Sequence, residues 1–311
     1  MQVNALPDFF DELNKALPNC DNEIRRIFHG RGRLWQGLDQ LTADWLGTQL
    51  IVNLFKPVDD EFMQSLVQGL QHLSQTEQWK HIGAQGIGLQ HRYEHGAPFE
   101  VITGNIELKP VAIENGLKYQ LELGKNQNSG LFLDMRLGRE WLQQRAQDKA
   151  VLNLFSYTCG FSVAAIEGGA SKVVNVDMAR ASLTRGRDNH RLNQHDLSKV
   201  TFMGHDIFRS WGKITKAGPY DVIVIDPPSF QKGSFALTKD YKRILRRLPS
   251  LLTPQGIVLA CVNSPAVTQD FLIDTMLEEA PELIYQQRLA NPLEFADIDE
   301  QASLKALVFS R

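Results

Sequence analysis

The sequence predicts an α/β fold, a doubly wound and mostly parallel sheet, preceded by a smaller α+β domain. Three observations carry this. Short apolar runs recur at 151–155, 173–176 and 220–225, the composition of strands buried on both faces. Helix-compatible spacing over 161–168 separates the first two runs and stops at Gly168-Gly169. The runs lead into Ser156, Asp177 and Asp226, so a right-handed crossover gathers these polar residues at the carboxyl ends of neighbouring strands, where open α/β sheets bind ligands.

In chain order, residues 9–17 and 62–73 have helical spacing, and 49–55, 86–92 and 100–102 read as strands. Lys56-Pro57 and residues 83–88 mark turns. These elements make a domain over residues 1–104, with holding RNA as its expected task and a purely structural cap as the alternative. Residues 105–311 form the second domain, opening with a β-hairpin.

The 151–177 unit reads as strand, loop, helix and strand. Asp177 closes it, placed to take both hydroxyls of a ribose. The intervening loop selects among adenosine cofactors. A dinucleotide fingerprint needs G-x-G-x-x-G to bring backbone amides against a pyrophosphate. Phe155-Ser156-Tyr157-Thr158-Cys159-Gly160 offers one glycine, whereas S-adenosylmethionine carries no phosphate to cradle. The expectation is a methyltransferase rather than a dehydrogenase. Val200–Met203 is a further short strand, after which Asp206 can meet an adenine amino group.

Tyr220–Ile225 runs into Asp226-Pro227-Pro228-Ser229-Phe230. The two prolines end the strand, since proline lacks an N–H and fixes φ. Such a corner can aim a carbonyl oxygen and a following ring at a planar base. A helix is expected from about Asp240 to Leu252, with Tyr241, Ile244, Leu245 and Leu248 on its apolar stripe and Lys242, Arg243, Arg246 and Arg247 opposite. A strand follows at 256–264.

The segments ENGLKYQLEL, SGLFLDMR, VLNLFSYTCGFSVAA, GGASKVVNVD, HDIF and YDVIVIDPPSF, in that order, resemble the bacterial 23S ribosomal RNA methyltransferases that modify cytosine C5 or guanine N7. The resemblance runs from about residue 113 to the C-terminus. It implies a class I S-adenosylmethionine-dependent, Rossmann-like domain with a seven-stranded sheet, and ribosomal RNA as substrate. It further implies that Asp134 and Arg136 lie near the cofactor and that Phe155, Ser156, Tyr157, Thr158 and Gly160 line its methionine half. Asp177 with Met178 would hold ribose, Asp206 with Ile207 would face adenine, and Asp226, Pro227, Pro228 and Phe230 would face the acceptor base.

The chain departs from the C5 pattern at two places. Asn128 stands where those enzymes carry a lysine, and Asn263 aligns with their nucleophilic cysteine. Carbon 5 of a pyrimidine is a poor nucleophile until a thiolate adds to the ring. Losing that thiol points to a nitrogen acceptor. Cys261 lies two residues back on the same strand face, where a small buried hydrophobe is the expected role. Cys159 is read the same way.

The chain has 311 residues, 43% hydrophobic and 22% charged, enough for two domains with their own cores. Three cysteines without paired spacing give neither a disulfide framework nor a zinc site. The N-terminal residues lack the pattern of a signal peptide, and no apolar run approaches the ~20 residues of a membrane span, so a cytoplasmic enzyme without membrane attachment is expected. A net charge of −3 does not advertise nucleic-acid binding; three basic clusters, Arg25 to Arg33, the basic face after the D-P-P corner, and Arg180, Arg185, Arg187 and Arg191, read singly as solvated faces and would form a phosphate track only if they converge beside Phe230. The oligomeric state is open, with a homodimer as one compatible arrangement. A small-molecule or protein methyltransferase, or a non-catalytic RNA-binding factor on the same fold, are the alternative readings.

Overall fold

A computed structural model describes residues 1–228 and 237–311. Contacts divide the chain into two compact units, Met1–Leu133 with Pro292–Glu300, and Asp134–Asn291 with Gln301–Arg311.

The first unit is built on a five-stranded sheet of β1 (Ile24–His29), β2 (Leu41–Leu46), β3 (Gln49–Leu54), β4 (Gly86–His91) and β5 (Phe99–Gly104), in that spatial order. All neighbours are antiparallel except β3 and β4, which are parallel. That parallel pair needs a crossover, supplied by α2 (Asp60–Leu73) and α3 (Glu77–His81). Phe62, Leu66, Leu70 and Leu73 recur at helical spacing along α2. They pack with Phe9 and Leu13 of α1 (Leu6–Ala16) on Trp45, Leu50 and Val52 of the sheet. Asp59 caps α2 by accepting the Phe62 N–H at 2.8 Å.

The sequence reading did not foresee β2. Its half-buried Asp44 interrupts the apolar pattern and is matched by Arg26 of β1, with Nε at 2.8 Å from Oδ1. Gly86 and Gly88, where the strand reading of 86–92 and the turn reading of 83–88 overlap, lie within β4. A Cβ on Gly88 would stand 2.1 Å from the Phe99 ring of β5, so only glycine allows this approach. The hairpin of β6 (Val111–Glu114) and β7 (Leu117–Gln120) falls in the first unit. There the Glu23 carboxylate accepts the Gly116 N–H at 3.1 Å. The boundary thus lies at 133/134, against the expected 104/105.

The second unit is a seven-stranded sheet of β8 (Ala150–Leu154), β9 (Lys172–Val176), β10 (Val200–Met203), β11 (Tyr220–Ile225), β12 (Leu252–Val262), β13 (Ile284–Arg288) and β14 (Lys305–Ser310). Their spatial order is β10-β9-β8-β11-β12-β14-β13. The first five are parallel and β14 runs antiparallel to both its neighbours, confirming the doubly wound α/β class. The order reverses between β8 and β11, so the loops after these strands open the crevice at the topological switch point.

Side chains alternate between two cores, one on each face. Ile223 and Ile225 point to the side of α8 (Leu237–Leu245), α9 (Leu248–Leu251) and α10 (Asp270–Glu279). Val222, Val224 and Cys261 point to the side of α4 (Arg136–Gln143) and α5 (Gly160–Glu167). Two more helices, α6 (Arg180–Leu192) and α7 (Trp211–Ala217), complete the crossovers. The single helix expected after the D-P-P corner is broken into α8 and α9. Pro249 cannot donate to the Leu245 carbonyl, where α8 stops.

Candidate active site

Five of the expected segments follow consecutive parallel strands and so share one end of the sheet: 155–160 after β8, Asp177 after β9, Asp206 after β10, Asp226 after β11 and Asn263 after β12. The first loop has an unusual backbone. Phe155, Tyr157 and Cys159 all adopt positive φ, at 57°, 46° and 63°, conformations that non-glycine residues avoid. The kinks turn successive amides inward. Ser156 N–H donates to Val176 O at 3.2 Å and Tyr157 N–H to Asp177 Oδ2 at 2.8 Å. The other Asp177 oxygen accepts the Ala179 N–H at 2.8 Å, so both carboxylate oxygens are fixed in direction while each keeps a lone pair for a hydroxyl. Asp206 is held likewise, its Oδ1 accepting the Phe208 N–H at 2.8 Å. Ile207 is buried and Met178 exposed.

An adenosine cofactor with an amino-acid tail fits this loop on one further observation. Ser156 Oγ is buried with no hydrogen-bond partner, a polar atom suited to a ligand at this turn. Thr158 is also buried, its carbonyl accepting Asn189 Nδ2 at 3.0 Å. Gly186 lets α6 approach, since a Cβ there would lie 2.4 Å from Cys159 Sγ.

Beneath the loop runs a chain of polar groups in which Asn153, Asn175, Ser162 and His190 are buried. Asn153 Nδ2 donates to Asn175 Oδ1 at 2.9 Å, and Asn175 Nδ2 donates to Ser162 Oγ at 2.9 Å. Ser162 Oγ lies 2.9 Å from His190 Nε2, whose Nδ1 is 3.0 Å from His195 Nδ1. His195 Nε2 reaches Glu167 at 3.1 Å. The chain ties β8 and β9 to α5 and α6, the elements that hold the loop.

Beyond β12, exposed Asn263 donates from Nδ2 to Asp134 Oδ2 at 3.1 Å. Asp226 is half-buried, and its carboxyl is pushed up to about 7 by burial and by the nearby Asp134 charge, against the opposing Arg139. Pro227 is buried and Pro228 half-buried, whereas Ser229 and Phe230 lie outside the described residues. Arg136 begins α4 and is half-buried. Cys261 shares the strand face leading to Asn263 but is fully buried, and burial together with Asp226 and Asp134 drives its thiol well up. Cys159 is buried with its thiol raised for the same first reason.

Sequence reasoning missed three groups. Arg139 is 4% exposed, four residues after Met135 and three before Leu142 on the buried stripe of α4, a spacing that marks it as inward-facing. Tyr241, read as purely apolar, donates its hydroxyl to Cys261 O at 2.7 Å and fixes the end of β12. Lys305 is fully buried, its ammonium donating to Ser264 O at 2.8 Å and Gln301 O at 2.6 Å. No local pattern distinguishes it from an ordinary strand-initial lysine.

The arginine clusters are largely engaged. Arg25 pairs with Asp21, Arg26 with Asp44 and Arg33 with Asp297. Lys242, Arg243 and Arg246 pair with Glu278, Asp240 and Glu279, and Arg191 with Asp188. Arg243 and Arg187 stack over Phe208 and Phe202. Among the described residues there is no group of His, Cys, Asp or Glu suited to a metal ion, and no helix is long and apolar enough to cross a membrane.

Comparison with known proteins places this geometry. A Bacillus subtilis (strain 168) protein, provisionally named the ribosomal RNA large subunit methyltransferase YwbD, is 30% identical over 256 residues, 79% of this chain and 62% of that protein. Ribosomal RNA large subunit methyltransferase I of Aeromonas salmonicida (strain A449) is 38% identical over 164 residues, 51% of this chain and 41% of that one. The chain thus spans less than two thirds of the length of these curated relatives. A crystal structure of SMU.776, provisionally described as a methyltransferase and complexed with SAH, superposes with a TM-score of 0.84 at 25% identity. The match covers 99% of this chain and 80% of that one. The family model described as S-adenosylmethionine-dependent methyltransferase matches residues 25–310, and the chain belongs to that family.

Proposed function

We propose that the protein methylates a nitrogen of a base in ribosomal RNA, in the cytoplasm, with S-adenosylmethionine as donor. The names of the curated relatives support ribosomal RNA as the substrate. The nitrogen assignment rests on one observation: Asn263, not a thiol, stands beyond β12 and is held by Asp134, while Cys261 and Cys159 are buried with their thiols kept protonated. The bound cofactor supplies a methyl group on a sulfonium, already activated toward a lone pair. Asp177 takes the ribose hydroxyls, Asp206 with Ile207 faces adenine, and Ser156, Thr158 and the amides of 155–160 hold the amino-acid tail. Asp134 and Arg136 flank the cofactor. Asn263 orients the base edge against the 226–228 corner, and Phe230 offers a stacking ring. Where the acceptor is an amino nitrogen, methylation leaves a surplus proton on it, which the Asp226 carboxylate takes, a task that a value near 7 suits; an unprotonated ring nitrogen needs no such step. The first unit holds the RNA.

Mass spectrometry of nucleosides from large-subunit ribosomal RNA of a deletion strain tests this. One N-methylated nucleoside should fall in the deletion strain and return when the purified protein and S-adenosylmethionine are added. Loss of 5-methylcytidine, or of no methylated nucleoside, would overturn the reading.

A further inference from the structure

We infer that Lys305 is a positioning residue for the methyl transfer: its buried ammonium pins the backbone beyond Asn263, so that this amide is presented in one orientation. The inference rests on the role given to Asn263 above and adds what aims it. Lys305 opens β14 and pairs with Val262 in register, while Ala306 pairs with Cys261. A lysine at the start of a strand ordinarily keeps its head in water. This one is fully buried, and its Nζ donates to Ser264 O at 2.8 Å and to Gln301 O at 2.6 Å.

Taking an ammonium out of water is expensive, and bonds to carbonyl oxygens offset that cost only where the geometry is held. The loop after β12 is held. Gln301 Oε1 accepts the Gln269 N–H at 3.1 Å, and Ser264 Oγ accepts the Ala266 N–H at 3.3 Å. On the other side of Asn263, the Tyr241 hydroxyl donates to Cys261 O at 2.7 Å.

Peptide groups are planar, so fixing a carbonyl fixes the plane it belongs to. The planes that follow Cys261 and Ser264 are both pinned, and Asn263 lies between them. Few backbone dihedrals remain to it, and the 3.1 Å bond to Asp134 then sets the side chain. An apolar residue at 305 could fill the strand position but would leave Ser264 O without this donor. The geometry therefore assigns the ammonium to aiming Asn263 rather than to packing.

The test compares the wild type with Lys305→Met, which keeps the stem and loses the donor. Methyl transfer from tritiated S-adenosylmethionine to ribosomal RNA of the deletion strain gives kcat, and calorimetry gives cofactor affinity and the folded fraction. Per folded molecule, kcat should fall roughly 10- to 100-fold, the scale of a misplacement near 1 Å, while S-adenosylmethionine affinity holds within a few-fold. In an Asn263→Ala background the same substitution should cost less than about 3-fold, because residues that act through one another are not additive. Lys305→Gln is shorter but can still donate to one carbonyl. It should lose roughly 3- to 10-fold, and it carries the test if the methionine variant does not fold.

NMR relaxation of side-chain amides reads the positioning without activity. The Asn263 signal, identified by its loss in Asn263→Ala, should be as rigid as the backbone in the wild type and mobile in the Lys305 variants. An anchor that serves stability alone would lower the melting temperature, keep kcat per folded molecule and leave Asn263 rigid. That result overturns the inference, and the function proposed above stands if the wild type N-methylates ribosomal RNA. If the wild type methylates no ribosomal RNA, that function falls. Asn263 that loosens when Lys305 is replaced then upholds the positioning, and Asn263 equally rigid in both overturns it as well.

Discussion

Asn263 Nδ2 donates to Asp134 Oδ2 across 3.1 Å, joining the residue just beyond β12 to the one just ahead of α4. The bond fixes the amide plane at the carboxyl end of β12. Truncation to Asn263→Ala removes a hydrogen bond to a charged partner, worth about 1.5–3 kcal/mol. We expect kcat to fall roughly 10- to 150-fold while S-adenosylmethionine affinity holds within a few-fold. Stopped-assay kinetics paired with calorimetry separate the two.

Asp177 is fixed by two backbone amides before any ligand arrives, so little ordering remains to be done on binding. Asp177→Ala is expected to weaken S-adenosylmethionine by about 1.5–3 kcal/mol. Unchanged affinity by calorimetry in a folded variant would remove the ribose assignment.

A buried thiol held protonated cannot attack a pyrimidine ring. Cys261→Ala and Cys159→Ala are each expected to retain substantial activity, and the wild type should form no covalent adduct with 5-fluorocytidine RNA. An adduct seen on a denaturing gel and lost in Cys261→Ala would restore the C5 chemistry.

With its carboxyl near 7, Asp226 is half ionised at neutral pH. If the carboxylate takes the proton, kcat rises with pH and levels off above about 7. Asp226→Asn should flatten that profile and lower the plateau. A pH-independent wild-type rate in that range contradicts the role.

Stability should also depend on pH. His190 is lowered to about 3 by burial and by His195, and His29 to about 4 by burial and by Arg26. Each stays neutral in the fold but protonates near 6.5 when unfolded, so its contribution is complete above 6.5 and is lost as pH falls. Asp226 acts oppositely: its raised carboxyl favours the fold below about 3.8, and that contribution is lost as pH rises through 7. Two histidines against one aspartate leave a net loss of about 1.4 kcal/mol per pH unit between roughly 6.5 and 4. Urea unfolding should show this slope, and Asp226→Asn should steepen it. As a check on His190 alone, its imidazole NMR signals should not titrate down to pH 5.

The parallel sheet was legible because strands buried on both faces are continuous apolar runs, and 220–225 emerged with the bounds the structure gives. The acids closing those runs were visible for the same reason, as the first polar residues after each. β2 was hidden because Asp44 breaks its pattern and only partners on neighbouring strands, Arg26 and Asn53, make that charge tolerable. The α8–α9 break was readable in Pro249 but was overridden by the apolar stripe. Arg139, Tyr241 and Lys305 escaped because their importance lies in partners far along the chain. Charge clusters read along the sequence overstated the free positive surface, since helices and strands set acids beside those arginines.

The polar chain from Asn153 to Glu167 has a consequence for how this fold can be altered. Replacing one member strands its neighbour in the interior at about 1–3 kcal/mol, so two such breaks consume much of a domain's 5–15 kcal/mol. Asn153, Ser162, Asn175, His190 and His195 therefore behave as one heritable block, and an apolar core is reachable only by exchanging several together. Anyone transplanting the 155–160 loop into another scaffold must carry that block along, although none of its side chains belongs to the loop.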